Sequence, residues 1–238
     1  MVVTGANGRI GRAVARQYAE EGVTIVALDT KVSTELAGEV SGLGAQCLTL
    51  PVDLTRRDAV AEAMDAALKE VGRIDVLVSQ AFLGKREPFL EITKESWNQV
   101  LALTLKSGFL VAQATLPAML REKEGSVVFV SSIAGRRSSS VMGAHYTCAR
   151  YGLIGLTRHL AREFAGTGIR VNCVCPGPPD APSLLDSTTE EERSEIIRRT
   201  PLRRLADPDD VAEVIRFVAG PKARHMHGAI VDVNGGLY

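Results

Sequence analysis

Residues 126–150 read SVVFVSSIAGRRSSSVMGAHYTCAR and pass from a strand pattern through a loop into a helix pattern. The apolar run from Val127 to Val130 is typical of a strand that is buried on both faces of a parallel sheet. The Gly- and Ser-rich residues that follow predict a loop, and a helical pattern carries Tyr146 and Arg150. This stretch therefore predicts one strand–loop–helix unit of an α/β fold.

Three side chains of this stretch form a candidate catalytic group. Tyr146 and Arg150 are four residues apart, so on a helix they lie on one face, one turn from each other. A guanidinium beside a phenol favours the phenolate. Ser132, at the end of the strand, adds a hydroxyl, and the three together can exchange a proton with a substrate oxygen. A tyrosine and an arginine at this spacing also occur as an ordinary surface pair, so the rest of the chain decides.

The first eleven residues predict a phosphate-binding turn. A short strand, Met1 to Val3, leads into TGANGRIG, in which Gly5, Gly8 and Gly11 allow a tight turn and a close approach of the backbone to a phosphate. A helix that begins near Ile10 aims its free N–H groups at that phosphate. The alternative is a tight turn without a ligand.

An acidic residue follows at the expected distance. The second strand, Val23 to Leu28, ends in Asp29, which lies 18 residues beyond Gly11. A carboxylate there accepts hydrogen bonds from the ribose hydroxyls and repels a 2′-phosphate, so it favours NAD over NADP. Lys31 and Arg9 lie nearby in sequence and weaken that preference. The alternative role for Asp29 is a helix cap or a turn.

Strand and helix patterns alternate along the whole chain. Later strands are predicted at 45–50, 74–78, 127–130, 169–175 and 228–233, and a long amphipathic helix is predicted from about Trp97 to Leu120. Its core candidates are Val100, Leu101, Leu105, Phe109 and Leu110. The pattern predicts a doubly wound parallel sheet, Rossmann-like, in a single domain of residues 1–238. Residues 178–201 are rich in Pro, Ser, Thr and Glu and are expected to form a substrate lid.

Composition excludes several classes of protein. The chain has 28 Lys and Arg against 28 Asp and Glu, and this zero net charge argues against a nucleic-acid partner. We read no run long enough to span a membrane and no signal-type leader, so we expect a cytoplasmic protein without a membrane partner. Cys173 and Cys175 match no zinc spacing, and His225 and His227 are read as loop residues, so no metal site is predicted.

The chain resembles the short-chain dehydrogenase/reductase family over nearly its whole length. The matching motifs are TGANGRIG at 4–11, Asp29, VDLT at 52–55, DVLV at 75–78, VSS at 130–132, YTCAR at 146–150, RVNCVCPG at 170–177, PLRRLADPDDVA at 201–212 and GAIVDVNGG at 228–236. The resemblance implies a nicotinamide cofactor, a homotetramer, and hydride transfer between that cofactor and a small alcohol or carbonyl substrate. It also implies Tyr146 as the acid/base, with Ser132 and Arg150 beside it. On the matching positions it implies cofactor binding by Gly5, Asn7, Gly8, Arg9, Ile10, Gly11, Asp29, Asp53, Leu54, Gln80, Ala81, Tyr146, Arg150, Pro176 and Gly177.

The chain departs from the family at four places in the expected site. Arg150 stands where the family has lysine, and Thr104 stands where it has asparagine. The family's Asn-Asn-Ala-Gly is replaced by residues 79–82, Ser-Gln-Ala-Phe, and the middle glycine of the first loop is replaced by Arg9. Arginine keeps the charge of lysine but not its shape. Phe82 is expected to crowd the cofactor at a position where glycine allows a close approach.

These departures leave two alternatives open. A Ser-Tyr-Arg group resembles that of the halohydrin dehalogenases, which keep this fold, lack the cofactor and close an epoxide while halide leaves. Because an aromatic residue stands at their middle-glycine position and Arg9 stands here, a nicotinamide-dependent oxidoreductase ranks first. The other alternative is a catalytically silent member of the family that only binds a nucleotide.

Overall fold

One parallel sheet, in the order β3-β2-β1-β4-β5-β6-β7, forms the centre of the computed structural model, which describes residues 1–31 and 33–238. Its strands are β1 (Val2–Thr4), β2 (Ile25–Asp29), β3 (Cys47–Pro51), β4 (Val76–Ser79), β5 (Gly125–Val130), β6 (Ile169–Pro176) and β7 (Ile230–Val233). Strand β1 pairs with both β2 and β4, so the chain reverses its direction across the sheet at this point. The predicted doubly wound, Rossmann-like fold is confirmed.

Helices cover both faces of the sheet. They are α1 (Arg9–Ala19), α2 (Thr34–Gly42), α3 (Arg57–Val71), α4 (Lys94–Leu101), α5 (Ser107–Glu122), α6 (Ala144–Glu163), α7 (Pro182–Leu185), α8 (Glu190–Arg199) and α9 (Pro208–Ala219). Strand β5 shows why its sequence is continuously apolar. Val127 and Phe129 point into the core under α3, α5 and α6, whereas Val128 and Val130 point into the core under α1, α2 and α9.

Most strands and helices begin and end within two or three residues of their predicted positions. Helix α3 ends at Val71 before Gly72, and α8 begins with a capping box in which Thr189 and Glu192 accept hydrogen bonds from each other's backbone N–H groups. Asp207 caps α9 ahead of its first-turn proline. Helix α2 was not predicted, although Ser33 caps it by accepting a hydrogen bond from the backbone N–H of Leu36 (3.1 Å).

The predicted long helix is a continuous helical run, Lys94–Glu122, with a π-helical turn at Ala102–Lys106 between α4 and α5. Phe109 was wrongly placed in the core, since its side chain is 43% exposed. The row formed by Leu101, Leu105 and Phe109 lies beside the buried stripe of this helix and turns towards solvent along its length.

This run also corrects the expectation that no segment is apolar enough to span a membrane. Its most apolar 18-residue window has a mean hydropathy of 1.3, and half of that window is buried inside the protein. Length and composition are weak indications, and a helix packed in the interior of a fold passes the same test.

The fold gathers the predicted site at one edge of the sheet. The loops that follow β1, β4, β5 and β6 leave the carboxyl ends of neighbouring strands, so they meet in space. These loops carry Gly5, Gln80, Ser132 and Gly177. The reversal point between β1 and β4 is where ligands bind in sheets of this kind.

Candidate active site

The predicted serine, tyrosine and arginine line one cavity of about 840 Å³ at this edge. Tyr146 is 8% exposed and Arg150 only 3%, so both are held inside the protein and are not a surface pair. Besides Tyr146 and Arg150, four other residues predicted to bind the cofactor line the same cavity: Ile10, Gln80, Pro176 and Gly177. The cavity therefore joins the candidate catalytic group to the candidate dinucleotide site.

Ser132 is held by the turn that follows β5. Its backbone is extended, and it caps a single 3₁₀ turn, Ile133–Gly135, by accepting a hydrogen bond from the N–H of Ala134 (3.1 Å). The preceding Ser131 donates its hydroxyl to the backbone carbonyl of Arg150 (2.9 Å) and so ties this turn to α6. Because the Ser132 oxygen acts as an acceptor to the backbone, its O–H remains a donor for a ligand in the cavity.

A buried histidine, His145, precedes the tyrosine, and no role was predicted for it. Nδ1 of His145 accepts the backbone N–H of Tyr146 (2.9 Å), so the ring proton is on Nε2 and is donated to Oε2 of Glu87 (3.0 Å). Ser96 donates to the same carboxylate, and this hydrogen bond is the main reason that the pKa of Glu87 is lowered. The network fixes the first turn of α6, from which Tyr146 projects.

Arg150 contacts two aromatic rings. Its guanidinium carbon is 4.7 Å from the ring centroid of Phe82 and 4.9 Å from that of Tyr146. Nη1 donates to the backbone carbonyl of Val130 (2.7 Å), whereas the buried Nε has no hydrogen-bond partner in the described chain. The predicted proximity of Arg150 to Tyr146 is thus present, with Phe82 as an additional contact.

Thr104, which stands at the family's asparagine position, lies in the π-helical turn and is buried. Its hydroxyl oxygen accepts the N–H of Leu83 (3.1 Å) and donates to the carbonyl of the same residue (3.3 Å). The threonine therefore anchors the loop after β4, and its hydroxyl is occupied by the backbone.

The first loop has the shape of a phosphate-binding turn. Gly5 has a positive φ of 63°, and a Cβ on Gly11 would lie 2.4 Å from the carbonyl oxygen of Gly5, so neither position accepts a side chain without strain. Gly8 precedes α1, and no side chain caps this helix within the described residues. Its first N–H groups are therefore available to an anion.

Asp29 reaches back to this loop. Its two carboxylate oxygens accept the backbone N–H groups of Asn7 (3.0 Å) and Thr30 (2.7 Å), and the Asn7 side chain donates to the carbonyl of Lys31 (3.0 Å). Asp29 thus combines the turn role considered from the sequence with a position beside the glycine loop. In the part of the chain that the structure describes, no Lys or Arg forms an ion pair with it.

Asp53 and Leu54 lie in the loop after β3. Asp53 accepts hydrogen bonds from the hydroxyl (2.7 Å) and the N–H (2.9 Å) of Thr55, and these bonds lower the pKa of its carboxyl. Asp53 is exposed and Leu54 is buried. Neither residue is among those that line the large cavity in the described chain.

Arg9 and Gln80 show how the chain accommodates its unusual residues. Nη1 of Arg9 donates to the backbone carbonyl of Asp180 (2.8 Å), so the side chain leaves the first loop and contacts residues 178–201. The Gln80 amide donates to the carbonyl of Gly5, and the hydroxyl oxygen of Thr4 accepts the N–H groups of Gln80 (3.1 Å) and Ala81 (3.2 Å). The first loop and the loop after β4 are therefore bonded directly to each other.

Residues 178–201, the predicted lid, form one wall of the cavity. They contain α7 and α8, and Leu184 and Ile196 line the cavity together with Pro176 and Gly177 at the end of β6. Arg86, from the loop after β4, donates to both carboxylate oxygens of Glu192 in α8 (2.7 and 2.6 Å). This pairing lowers the pKa of Glu192 to about 2.

Comparison with known proteins gives the family. A family model described as "Enoyl-(Acyl carrier protein) reductase" matches residues 5–238. The chain is 33% identical to the 3-oxoacyl-[acyl-carrier-protein] reductase FabG of Thermotoga maritima, over 99% of this chain and 96% of that protein. It is 32% identical to the oxidoreductase UcpA of Escherichia coli K12, over 99% of this chain and 92% of that protein.

Solved structures agree with this assignment. The crystal structure of a 3-oxoacyl-[acyl-carrier protein] reductase from Brucella melitensis superposes with a TM-score of 0.92 at 30% identity, covering 100% of this chain and 90% of that one. Levodione reductase gives 0.91 at 28% identity, covering 99% of this chain and 95% of that one. The fold and the site define a short-chain oxidoreductase that depends on a nicotinamide cofactor. The chain belongs to the short-chain dehydrogenase/reductase family.

The residues of the site fit such a cofactor. The uncapped N-terminus of α1 and the glycine turn suit a pyrophosphate, and the Asp29 carboxylate lies beside them. The cavity that contains Tyr146 is continuous with Ile10, the second residue of α1. A dinucleotide bound with its phosphates at the start of α1 would therefore have room for its reacting end in this cavity.

Proposed function

We propose that the protein interconverts a small alcohol and its carbonyl compound, with Tyr146 as the acid/base. The observation that carries this proposal is the convergence of Ser132, Tyr146 and Arg150 on one cavity that also reaches the first turn of α1. The relatives named as 3-oxoacyl reductases and as an oxidoreductase support the same reaction class.

Each side chain has one task in this reaction. In oxidation, the Tyr146 phenolate accepts the proton of the substrate hydroxyl, and in reduction the phenol returns a proton to the carbonyl oxygen. The Ser132 O–H donates a hydrogen bond to the same substrate oxygen. The Arg150 cation favours the phenolate. The bound nicotinamide supplies the hydride for reduction or accepts it in oxidation.

Tyr146→Phe tests this assignment, because it removes only the hydroxyl that moves the proton. We expect turnover of any accepted alcohol to fall on the order of 100- to 10,000-fold, the usual contribution of a general acid/base. The thermal unfolding midpoint and NADH binding should stay close to those of the wild type. A variant that turns over at the wild-type rate would remove Tyr146 from the mechanism and favour the silent nucleotide-binding alternative.

We infer that NAD is the preferred cofactor, with NADP the weaker ligand. The Asp29 carboxylate carries a negative charge beside the glycine loop, and a 2′-phosphate placed there would meet like charge. Arg9, which could have attracted that phosphate, is directed towards Asp180. The positions of these two residues beside the glycine loop support a preference for NAD.

The assembly and the setting are also proposals. We infer a homotetramer, since Phe109 of α5 and Tyr151 of α6 expose apolar rings (43% and 46%) on the helices that the family uses for pairing. Light scattering at micromolar concentration tests it, and a monomer would contradict it.

All four cysteines are free, which supports a reducing, cytoplasmic setting. Neither a nucleic-acid nor a membrane partner is proposed, in view of the zero net charge and the half-buried apolar helix.

A further inference from the structure

Arg150, Phe82 and Tyr146 form a three-way cluster in which each group contacts the other two. The centroids of Phe82 and Tyr146 are 6.3 Å apart, with an angle of 63° between the two rings. The guanidinium carbon of Arg150 is within 5 Å of both centroids. Distances of this size place a cation in attractive contact with an aromatic ring.

The guanidinium depends on these rings because it has no anionic partner. Within residues 1–31 and 33–238, no carboxylate pairs with Arg150, and its Nε has no hydrogen-bond partner. Burying a cation without a counter-ion is costly, so the neighbours that do contact it must offset that cost. Those neighbours are the carbonyl of Val130 and the two aromatic rings.

Contacts with neighbouring residues hold Phe82 in place. Thr104 fixes the backbone of the next residue, Leu83, through both its N–H and its carbonyl. Phe82, Leu83 and Met142 then pack against a small buried cluster that contains Tyr146. The phenylalanine ring therefore forms a fixed surface that contacts both the Arg150 guanidinium and the Tyr146 ring.

We propose that Phe82 is a positioning residue that holds the Arg150 guanidinium against Tyr146 during proton transfer. The inference rests on the proposed function of Tyr146 as the acid/base. Without the ring, a guanidinium with a single hydrogen bond is free to turn away from the phenol, and its effect on the phenolate falls with distance. Phe82 and Arg150 thus act as a pair in place of the glycine and lysine of the family.

The direct test is titration of the Tyr146 phenol in the full chain without added cofactor. Tyrosinate absorbance is followed against pH, and subtraction of the same variant carrying Tyr146→Phe isolates this tyrosine from the others. Phe82→Leu keeps an apolar side chain but removes the aromatic face, so we expect the midpoint of tyrosinate formation to rise by about one pH unit. Phe82→Tyr retains the ring and should keep the wild-type midpoint.

Leu83→Ala is the matched control. Leu83 packs on the same cluster and lies next to Phe82, but its side chain does not contact the cation as an aromatic face does. The Leu83→Ala variant should have a lower thermal unfolding midpoint than the wild type, while the midpoint of tyrosinate formation stays unchanged. The inference is wrong if Phe82→Leu titrates as the wild type does, or if Leu83→Ala shifts the titration as far.

A second readout separates this inference from the proposed function. If Tyr146 is the acid/base, the pH profile of kcat/KM for alcohol oxidation should move with the tyrosinate titration in Phe82→Leu. A shifted titration together with full activity of Tyr146→Phe would keep Phe82 as the residue that positions Arg150 and would overturn only the catalytic role of the tyrosine.

Discussion

At the scale of single residues, Arg150 is the departure from the family pattern that lies nearest to the proposed chemistry. A guanidinium is planar and stays protonated at any pH of interest, whereas a lysine ammonium is compact and can release its proton. The planar group makes cation–π contacts with the rings of both Phe82 and Tyr146. The positive charge beside the phenol is retained, but proton release from that residue is lost.

Replacing Arg150 should therefore change the pH dependence of the reaction. In Arg150→Ala the charge that favours the phenolate is absent, so oxidation should become fast only at a higher pH than in the wild type. Arg150→Lys keeps the charge and should retain part of the activity, with a profile closer to that of the wild type. The measurement is the pH–rate profile of alcohol oxidation for the three proteins. Superimposable profiles of wild type and Arg150→Ala would exclude an electrostatic role for the arginine.

Asp29 is the residue on which cofactor choice depends. Asp29→Asn removes the negative charge and keeps an oxygen that accepts the N–H of Asn7, so the loop should survive the change. We expect the wild type to bind NADH more tightly than NADPH, and the variant to lose most of that difference, on the order of tenfold or more. Fluorescence titration of both proteins with both cofactors measures it. Equal affinities in the wild type, or tighter NADPH binding, would contradict the assignment of Asp29.

At the scale of elements, an ion pair between Arg86 and Glu192 joins α8 to the loop after β4. Glu192 has a pKa of about 2, below its ordinary value of 4.5, because Arg86 donates two hydrogen bonds to its carboxylate. A lowered carboxyl pKa means that the stabilising pairing is complete above pH 4.5 and is lost as the pH falls towards 2. The contact of α8 with the loop after β4 should weaken over that range.

Arg86→Gln should release α8 at neutral pH. We expect faster amide hydrogen exchange in α8 than in the wild type and a higher KM for the substrate, since α8 forms one wall of the cavity. Arg16→Gln is the control, because it breaks a comparably exposed ion pair, with Asp209 (2.7 Å), outside the cavity. The two variants should differ from each other only in the amide hydrogen exchange of α8 and in KM. Identical exchange in α8 of Arg86→Gln and of the wild type would contradict the attachment.

The elements could be predicted from the sequence wherever a local signal was strong. Helix α3, the capping box of α8 and the proline-led start of α9 follow from neighbouring residues. Helix α2 was missed because it is short and only Leu36 and Val40 of it are buried, so its periodicity is weak. Phe109 was placed in the core because an apolar residue on the edge of a helix stripe looks the same in sequence as one at its centre.

At the scale of the whole molecule, the order of the strands in the sheet brings residues that are far apart in the sequence into one site. The positions of Ser132, Tyr146 and Arg150 could be predicted, since one strand–loop–helix unit carries all three. The contacts of Phe82 and Glu87 with α6 could not be predicted. They arise because β4 pairs with β5, which brings the loop after β4 beside α6. His145 and Glu87, for instance, are 58 residues apart in the chain. The same long-range geometry brings α8 against Arg86.

The comparisons favour an oxidoreductase over the dehalogenase suggested by the Ser-Tyr-Arg group, and the cofactor separates the two most directly. The measurement is NADH fluorescence during titration with the protein, with a parallel sample that contains a vicinal halohydrin and no cofactor. We expect saturable NADH binding and no release of halide. Absence of NADH binding together with rapid, cofactor-independent halide release would contradict the assignment of this site to hydride transfer.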